Sequence, residues 1–155
     1  MYTLKTLLTI FSLMSISSFV SGHELGSNLN PISFGADQTI IDFEKMKWEP
    51  LKVEGLDPGA EIAVIRGDLN KGSSEAVIKI PSNYNIAMHT HTSDETYIWI
   101  HGAYTLKSEK GSEHKFAGPS YISFPGNAPK HAITCIAEDY CLFYVRWSRP
   151  FDILY

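Results

Sequence analysis

Cationic charge is scarce in this chain. Only 13 of its 155 residues are Lys or Arg, against 17 Asp and Glu, and charged residues are 19% of the whole. No basic patch stands out, so nucleic acid is a poor candidate partner. Cysteine is scarce too, with Cys135 and Cys141 alone. Neither has a base beside it in the sequence, which argues against a cysteine nucleophile. No run after residue 22 is apolar enough to span a membrane. No segment beyond that point keeps a long helical period, and no internal repeat or linker marks a second domain. The length is too short for two ordinary domains and sufficient for one buried core. No pair of carboxylates and no nucleophile–base pair stands outside one histidine cluster.

The first 22 residues differ from the rest. Lys5 is their only charge, an apolar run follows from Leu7 to Val20, and Val20-Ser21-Gly22 ends the segment in small residues. That order is the one a secretory signal peptide needs. As a helix the run would reach about 21 Å, short of the ~30 Å hydrocarbon core. No Cys lies near the cleavage point, which speaks against lipid attachment there. The expectation is therefore an exported protein, periplasmic or secreted, with no stable membrane span. Without the segment the chain carries 12 basic and 17 acidic residues, a net charge of −5.

Residues 23–37 are rich in Gly, Asn, Ser and Pro and read as an extended arm, which runs to residue 47 ahead of a domain of residues 48–155. From there short strand-like runs alternate with turn signals. The runs are Glu61 to Arg66, Ser74 to Ile80, Ile86 to His91, Glu95 to His101, Ala103 to Lys107, Tyr121 to Phe124, Ala132 to Ile136 and Cys141 to Trp147. Aromatic and β-branched residues fill them, while Gly102, Lys110-Gly111-Ser112 and Pro125-Gly126-Asn127 punctuate them. Many short strands at regular spacing predict an all-β antiparallel sandwich or barrel.

Chemistry concentrates in Met88-His89-Thr90-His91-Thr92-Ser93-Asp94-Glu95. Side chains alternate along a strand, so His89 and His91 share a face, roughly 6.6 Å apart. Thr92-Ser93-Asp94 is a polar turn, and Glu95 opens the next strand, which can bring its carboxylate back to the same point. His131, just after a Pro/Gly turn, can add a third imidazole. Three nitrogens and one oxygen suit Fe, Mn, Ni, Cu or Zn. In an octahedral ion they leave two positions open.

These residues resemble the cupin superfamily. Its first motif, G-x5-H-x-H-x3/4-E-x6-G, is similar to the stretch holding His89, His91, Glu95 and Gly102, with Asn83 at the opening Gly position. Asn tolerates positive φ better than most residues. The second motif, G-x5-P-x-G-x2-H, is similar to Gly118 through His131. Both intervals there are one residue longer, and Gly126 follows Pro125 directly; a bulge near Pro129-Lys130 would restore the aim of His131. Residues from about Trp48 to Tyr155 look like small stand-alone cupins, some near the ChrR-like anti-sigma cupins. The flanking matches are Leu56-Asp57-Pro58-Gly59, Arg66-Gly67-Asp68 and Pro150 to Tyr155.

The resemblance implies a single antiparallel cupin β-barrel, a double-stranded β-helix of jelly-roll type. It implies one divalent transition metal, Fe or Mn ahead of Ni, Cu or Zn, on His89, His91, Glu95 and His131. The activities implied are dioxygenase, other oxidoreductase or isomerase chemistry on a small organic molecule. The competing reading is a metal-dependent small-molecule binding or sensing module without turnover, and a third is a storage barrel. A homodimer stays open as an assembly. Tyr97 and Trp99 share strand parity with Glu95 and are either core packing or pocket walls. Cys135 and Cys141 form either a disulfide across a hairpin or two buried thiols. His101 lies at the far end of the Glu95 strand, His114 in a charged loop, and His23 near the start of the arm.

Overall fold

The computed structural model describes residues 40–155. The leader, His23 and most of the arm lie outside the described residues. Ten strands follow a short 3-10 turn, Phe43–Lys45, which Asp42 caps by accepting from the Glu44 amide. They are β1 (Glu49–Pro50), β2 (Glu61–Gly67), β3 (Ser74–Pro81), β4 (Asn85–His89), β5 (Glu95–His101), β6 (Tyr104–Ser108), β7 (Glu113–Phe116), β8 (Ser120–Phe124), β9 (His131–Cys135) and β10 (Tyr140–Trp147). Every strand pairing is antiparallel. One sheet has the order β1-β2-β3-β10-β5-β8 and the other β4-β9-β6-β7. The two face each other as a jelly-roll barrel. Among the described residues no helix is long and apolar enough to cross a membrane.

Alternation along the strands explains the core. On β5, Glu95, Tyr97 and Trp99 point in and are buried, while Ile98 faces solvent. On β10, Cys141, Phe143, Val145 and Trp147 point in. Trp99 is stacked between Tyr104 and Phe143, with ring centroids 3.7 and 4.6 Å away. Each such aromatic contributes roughly 1.5–3 kcal/mol through burial. A smaller cluster of Met46, Ala63 and Val77 covers the outer face of β2 and β3, so residues just before β1 pack on the barrel.

The two sheets are tied at one end by a disulfide between Cys135 on β9 and Cys141 on β10, both fully buried. Gly102 sits against it with φ +87°. A Cβ there would lie 2.5 Å from the Tyr140 carbonyl oxygen and 2.8 Å from Cys141 Sγ, so only glycine fits.

Several local expectations shift. β1 and β7 join the strands read from the sequence. His114 belongs to β7, an exposed sheet edge, rather than to a loop. Its strand is polar and short, which suits an edge and hides the strand signal. β4 ends at His89, and only an isolated bridge between Thr90 and Leu154 continues the pairing. The bulge falls in β4 and not near Pro129-Lys130: Ile86 faces Ile133 and His89 faces His131, so Ala87 and Met88 oppose Ala132 alone.

Candidate metal centre

The bulge decides where His89 points. It swaps the strand's alternation, so that Ile86 and His89, three residues apart, both turn inward. The His89 ring is 2% exposed, and its Nδ1 lies 2.6 Å from the Ala87 carbonyl oxygen. His91, beyond the strand, places its Nδ1 on the Asp152 carbonyl oxygen. Carbonyls only accept, so both Nδ1 atoms carry the proton and both Nε2 atoms present lone pairs. His131 opens β9 directly across from His89, with its ring stacked on Phe124 at 4.0 Å. Ring centroids are 4.8 Å apart for His89 and His91, and 4.5 Å for His89 and His131. One ring nitrogen from each of the three lies within 4.8 Å of the others.

Glu95 stands beside this trio. Its Oε1 is 3.1 Å from His91 Nε2. The carboxyl is held from behind: the Trp147 indole donates to Oε1 at 2.6 Å and the Tyr97 hydroxyl donates to Oε2 at 3.0 Å. Tyr97 thus lines the site, whereas Trp99 is core packing one pair further along β5. His101, at the end of β5, is exposed and bonded to Asp139.

Burial sets the charges. It holds His91 down to about 4, with the neighbouring His89 adding to the effect. It holds His131 down to about 3, helped by His89 and His91, and lowers His89 as well. The same burial pushes Glu95 up to about 8, against the indole and phenol donors that favour its charged form. Near neutral pH the imidazoles are therefore uncharged and free to donate lone pairs.

Not all of these ring nitrogens find a partner. Four buried polar side-chain atoms among the described residues have no hydrogen bond, and three of them are His91 Nε2, His131 Nδ1 and His131 Nε2. Leaving such atoms bare costs about 1–3 kcal/mol each. Converging neutral imidazoles beside a carboxyl are the donor set of a first-row divalent metal, so the residues present fit one.

The turn that carries the ligands is braced on two sides. Residues 148–155 run antiparallel to residues 90–94. The Ser148 amide donates to the Asp94 carbonyl at 3.1 Å, and the Arg149 amide to Ser93 Oγ at 3.0 Å. The Asp152 carboxylate accepts from the Thr92 amide at 3.0 Å and the Thr92 hydroxyl at 2.6 Å. Thr90 and Leu154 exchange two backbone bonds. On the other side the Gly126 amide donates to Asp94 Oδ1 at 2.7 Å, and Asn127 to the His91 carbonyl at 2.7 Å. Sequence reasoning gave no role to Trp147, Phe124 or Asp152. Trp147 and Asp152 lie more than fifty residues from the ligands they serve, and Phe124 reaches His131 across a turn whose shape no local spacing announces.

Residues 31–154 match the family described as Domain of unknown function (DUF4437). The chain belongs to that family. No curated protein sequence matches this DUF4437 chain. Its fold neighbours among solved structures are cupins. The polyketide cyclase RemF from Streptomyces resistomycificus is 15% identical over 76% of this chain and 84% of its own, with a TM-score of 0.63. A predicted oxalate decarboxylase from Thermotoga maritima is 16% identical over 72% and 99%, at 0.59. A sugar phosphate isomerase of the cupin superfamily from Silicibacter pomeroyi is 18% identical over 70% and 74%, at 0.57. At these identities the likeness is one of fold, and the DUF4437 chain has the cupin fold.

Proposed function

We propose that the chain is an exported, metal-dependent cupin enzyme acting on a small organic molecule, with one Fe or Mn ion held by His89, His91, Glu95 and His131. The observation that carries this is the trio of buried, neutral imidazoles, in which His91 Nε2 and both His131 nitrogens have no hydrogen-bond partner. Bound there, such an ion would supply Lewis-acid or redox chemistry of the dioxygenase, oxidoreductase or isomerase kind. Ni, Cu or Zn would suit the same donors.

The residues divide the remaining work. The Ala87 and Asp152 carbonyls fix the tautomer and tilt of His89 and His91. Phe124 sets the plane of the His131 ring. Trp147 and Tyr97 hold the Glu95 carboxyl in one orientation. Ile78, Phe143 and Phe151 keep bulk water from the site. Export is supported by the signal-like leader and by the Cys135–Cys141 disulfide, a bond characteristic of oxidising compartments.

Elemental analysis of the purified mature chain tests the reading. One equivalent of a transition metal is expected, and His91→Ala should lose metal and turnover together. A chain that neither carries nor takes up metal overturns the proposal. One observation favours a second reading, a non-catalytic binding or sensing module of the ChrR-like kind. The space beside His89 and His91 is only about 40 Å³, tight for a turnover site. Bound metal with no oxygen consumption and no isomerisation across a broad substrate panel would select it.

A further inference from the structure

The walls around the trio are selective in composition. The small cavity there meets His89, His91 and Glu95 on one side. The rest of its surface is mainly hydrocarbon, with Ile78, Ile86, Phe143, Phe151 and Ile153 foremost. No Lys, Arg, Ser, Thr, Asn or Gln is among the described residues that line it. The other polar groups of the wall are already engaged. The Tyr84 hydroxyl donates to the Asp57 carbonyl, the Tyr97 hydroxyl to Glu95 Oε2, and the Trp147 indole to Glu95 Oε1. His91 Nε2 stays open in the lining, and with the ring's proton on Nδ1 against the Asp152 carbonyl it accepts rather than donates.

Apart from Glu95 and an ion held by the trio, the lining therefore offers a ligand no counter-charge and no free hydrogen-bond donor. Away from the ion, a charged group pressed against Ile and Phe side chains would lose its hydration with nothing in return, and a hydroxyl there would be left bare. A hydrocarbon body gains from the same walls.

Room for such a body lies next door. Leu51 and Phe151 line the cavity and also line an outer groove of about 640 Å³, whose other walls include Ile62, Val64 and Leu69, with Glu49, Lys52 and Asn70 as its polar members. These two side chains stand between the groove and the trio. Neither is on a strand: Leu51 begins the connection between β1 and β2, and Phe151 is on the strap after β10. Parting them joins a mostly apolar groove to the ligand cluster.

We propose that the site admits a small molecule with an apolar, uncharged body and oxygen donors at one end, entering between Leu51 and Phe151, and that it disfavours charged groups and hydroxyls facing the walls. The inference rests on the metal reading for the point of attachment only. The class of molecule follows from the walls.

Pentane-2,4-dione, malonamide and malonate test it, because they share one O–C–C–C–O donor spacing and differ in their ends. Protein loaded with Co²⁺ reports binding through its visible d–d band, after elemental analysis has established uptake. Relative to each ligand's affinity for aqueous Co²⁺ at the same pH, pentane-2,4-dione is expected to gain at least about tenfold over malonate, with malonamide between. Ile153→Lys, which places a cation in the wall, should narrow or invert that order. Should the chain take up no Co²⁺, the metal reading has failed, and the wall preference is read in the metal-free protein. There pentane-2,4-dione, and not malonate, should move the methyl NMR signals of Ile86 and Ile153. Malonate favoured as much as the diketone on that scale, malonate moving the methyl signals of the metal-free protein as strongly, or a diketone that perturbs neither readout, overturns the proposal.

Discussion

Glu95 and the imidazoles carry opposite electrostatic biases from the same cause. Burial raises the carboxyl to about 8 and lowers His91 to about 4 and His131 to about 3. A metal needs a carboxylate and neutral imidazoles. At pH 7 the imidazoles are ready and the carboxyl is not, so uptake should release close to one proton, from Glu95. Apparent affinity is then expected to rise about tenfold per pH unit from pH 6 to 8 and to flatten above. Titration calorimetry in buffers of different ionisation enthalpy measures that proton; a release of none would take Glu95 out of the ligand set. The metal-free protein shows the biases in its stability. For His91 and His131 the folded pKa lies below the unfolded value of 6.5, so their contribution is full above that value and falls as pH drops towards 4 and 3. For Glu95 the folded pKa lies above the unfolded 4.5, so its contribution is full below 4.5 and is lost as pH rises through about 8. Urea midpoints of the metal-free chain should peak at roughly pH 6–7. Tyr97→Phe removes one donor from the buried carboxyl. It should weaken metal binding about 10- to 100-fold and destabilise the fold by about 1–3 kcal/mol, read by calorimetry and by denaturant unfolding.

Between residue and molecule stand two elements that place the ligands, the β4 bulge and the strap of residues 148–155. The spacing of His89, His91 and Glu95 was legible because a turn and two strand ends are local, and local spacing survives translation into structure. The bulge was not, since Ala87 and Met88 read as ordinary strand residues until β9 lies beside them. His131 sits opposite His89 through strand register, which its shifted spacing from Pro125 does not express. The strap was legible as a terminal segment and not as a brace. Its partners are more than fifty residues away, and polar side chains such as Thr92 and Asp94 look solvated when the Asp152 carboxylate that accepts from one and the Ser148 hydroxyl that donates to the other lie that far off. Most strands were legible, because apolar alternation marks each one whose inner face is buried; β1 and β7 lack it. The strap makes its own prediction. Asp152→Ala keeps the backbone carbonyl that meets His91 and deletes two bonds to Thr92. Its cost to the fold should be about 1–2 kcal/mol, given a partly exposed pair. Hydrogen exchange of the Thr92 and Leu154 amides should quicken, and metal affinity should fall about tenfold as the turn loosens.

The whole barrel separates stability from chemistry by placing them at opposite ends. His131 and Cys135 bound the same strand, about 13 Å apart by strand rise, and Trp147 lies about 20 Å along β10 from Cys141. The disulfide links a strand of one sheet to a strand of the other, so it restrains how the sheets face each other without touching any ligand. Closing a loop this short restricts the unfolded chain by about 2 kcal/mol. Replacing both cysteines by serine should lower the melting temperature by about 5–10 °C. Sites separated by more than about 10 Å usually contribute independently, so metal affinity should change by less than about twofold. Gly102→Ala strikes the same end from the backbone: its Cβ meets the Tyr140 carbonyl and Cys141 Sγ at a positive φ, and it should destabilise at least as much with metal affinity again unmoved. Melting curves and metal titrations on the two variants decide the matter together. A loss of metal affinity in step with melting temperature would mean that the disulfide end and the ligand end move as one body, and that the site depends on the pitch between the sheets rather than on its local braces.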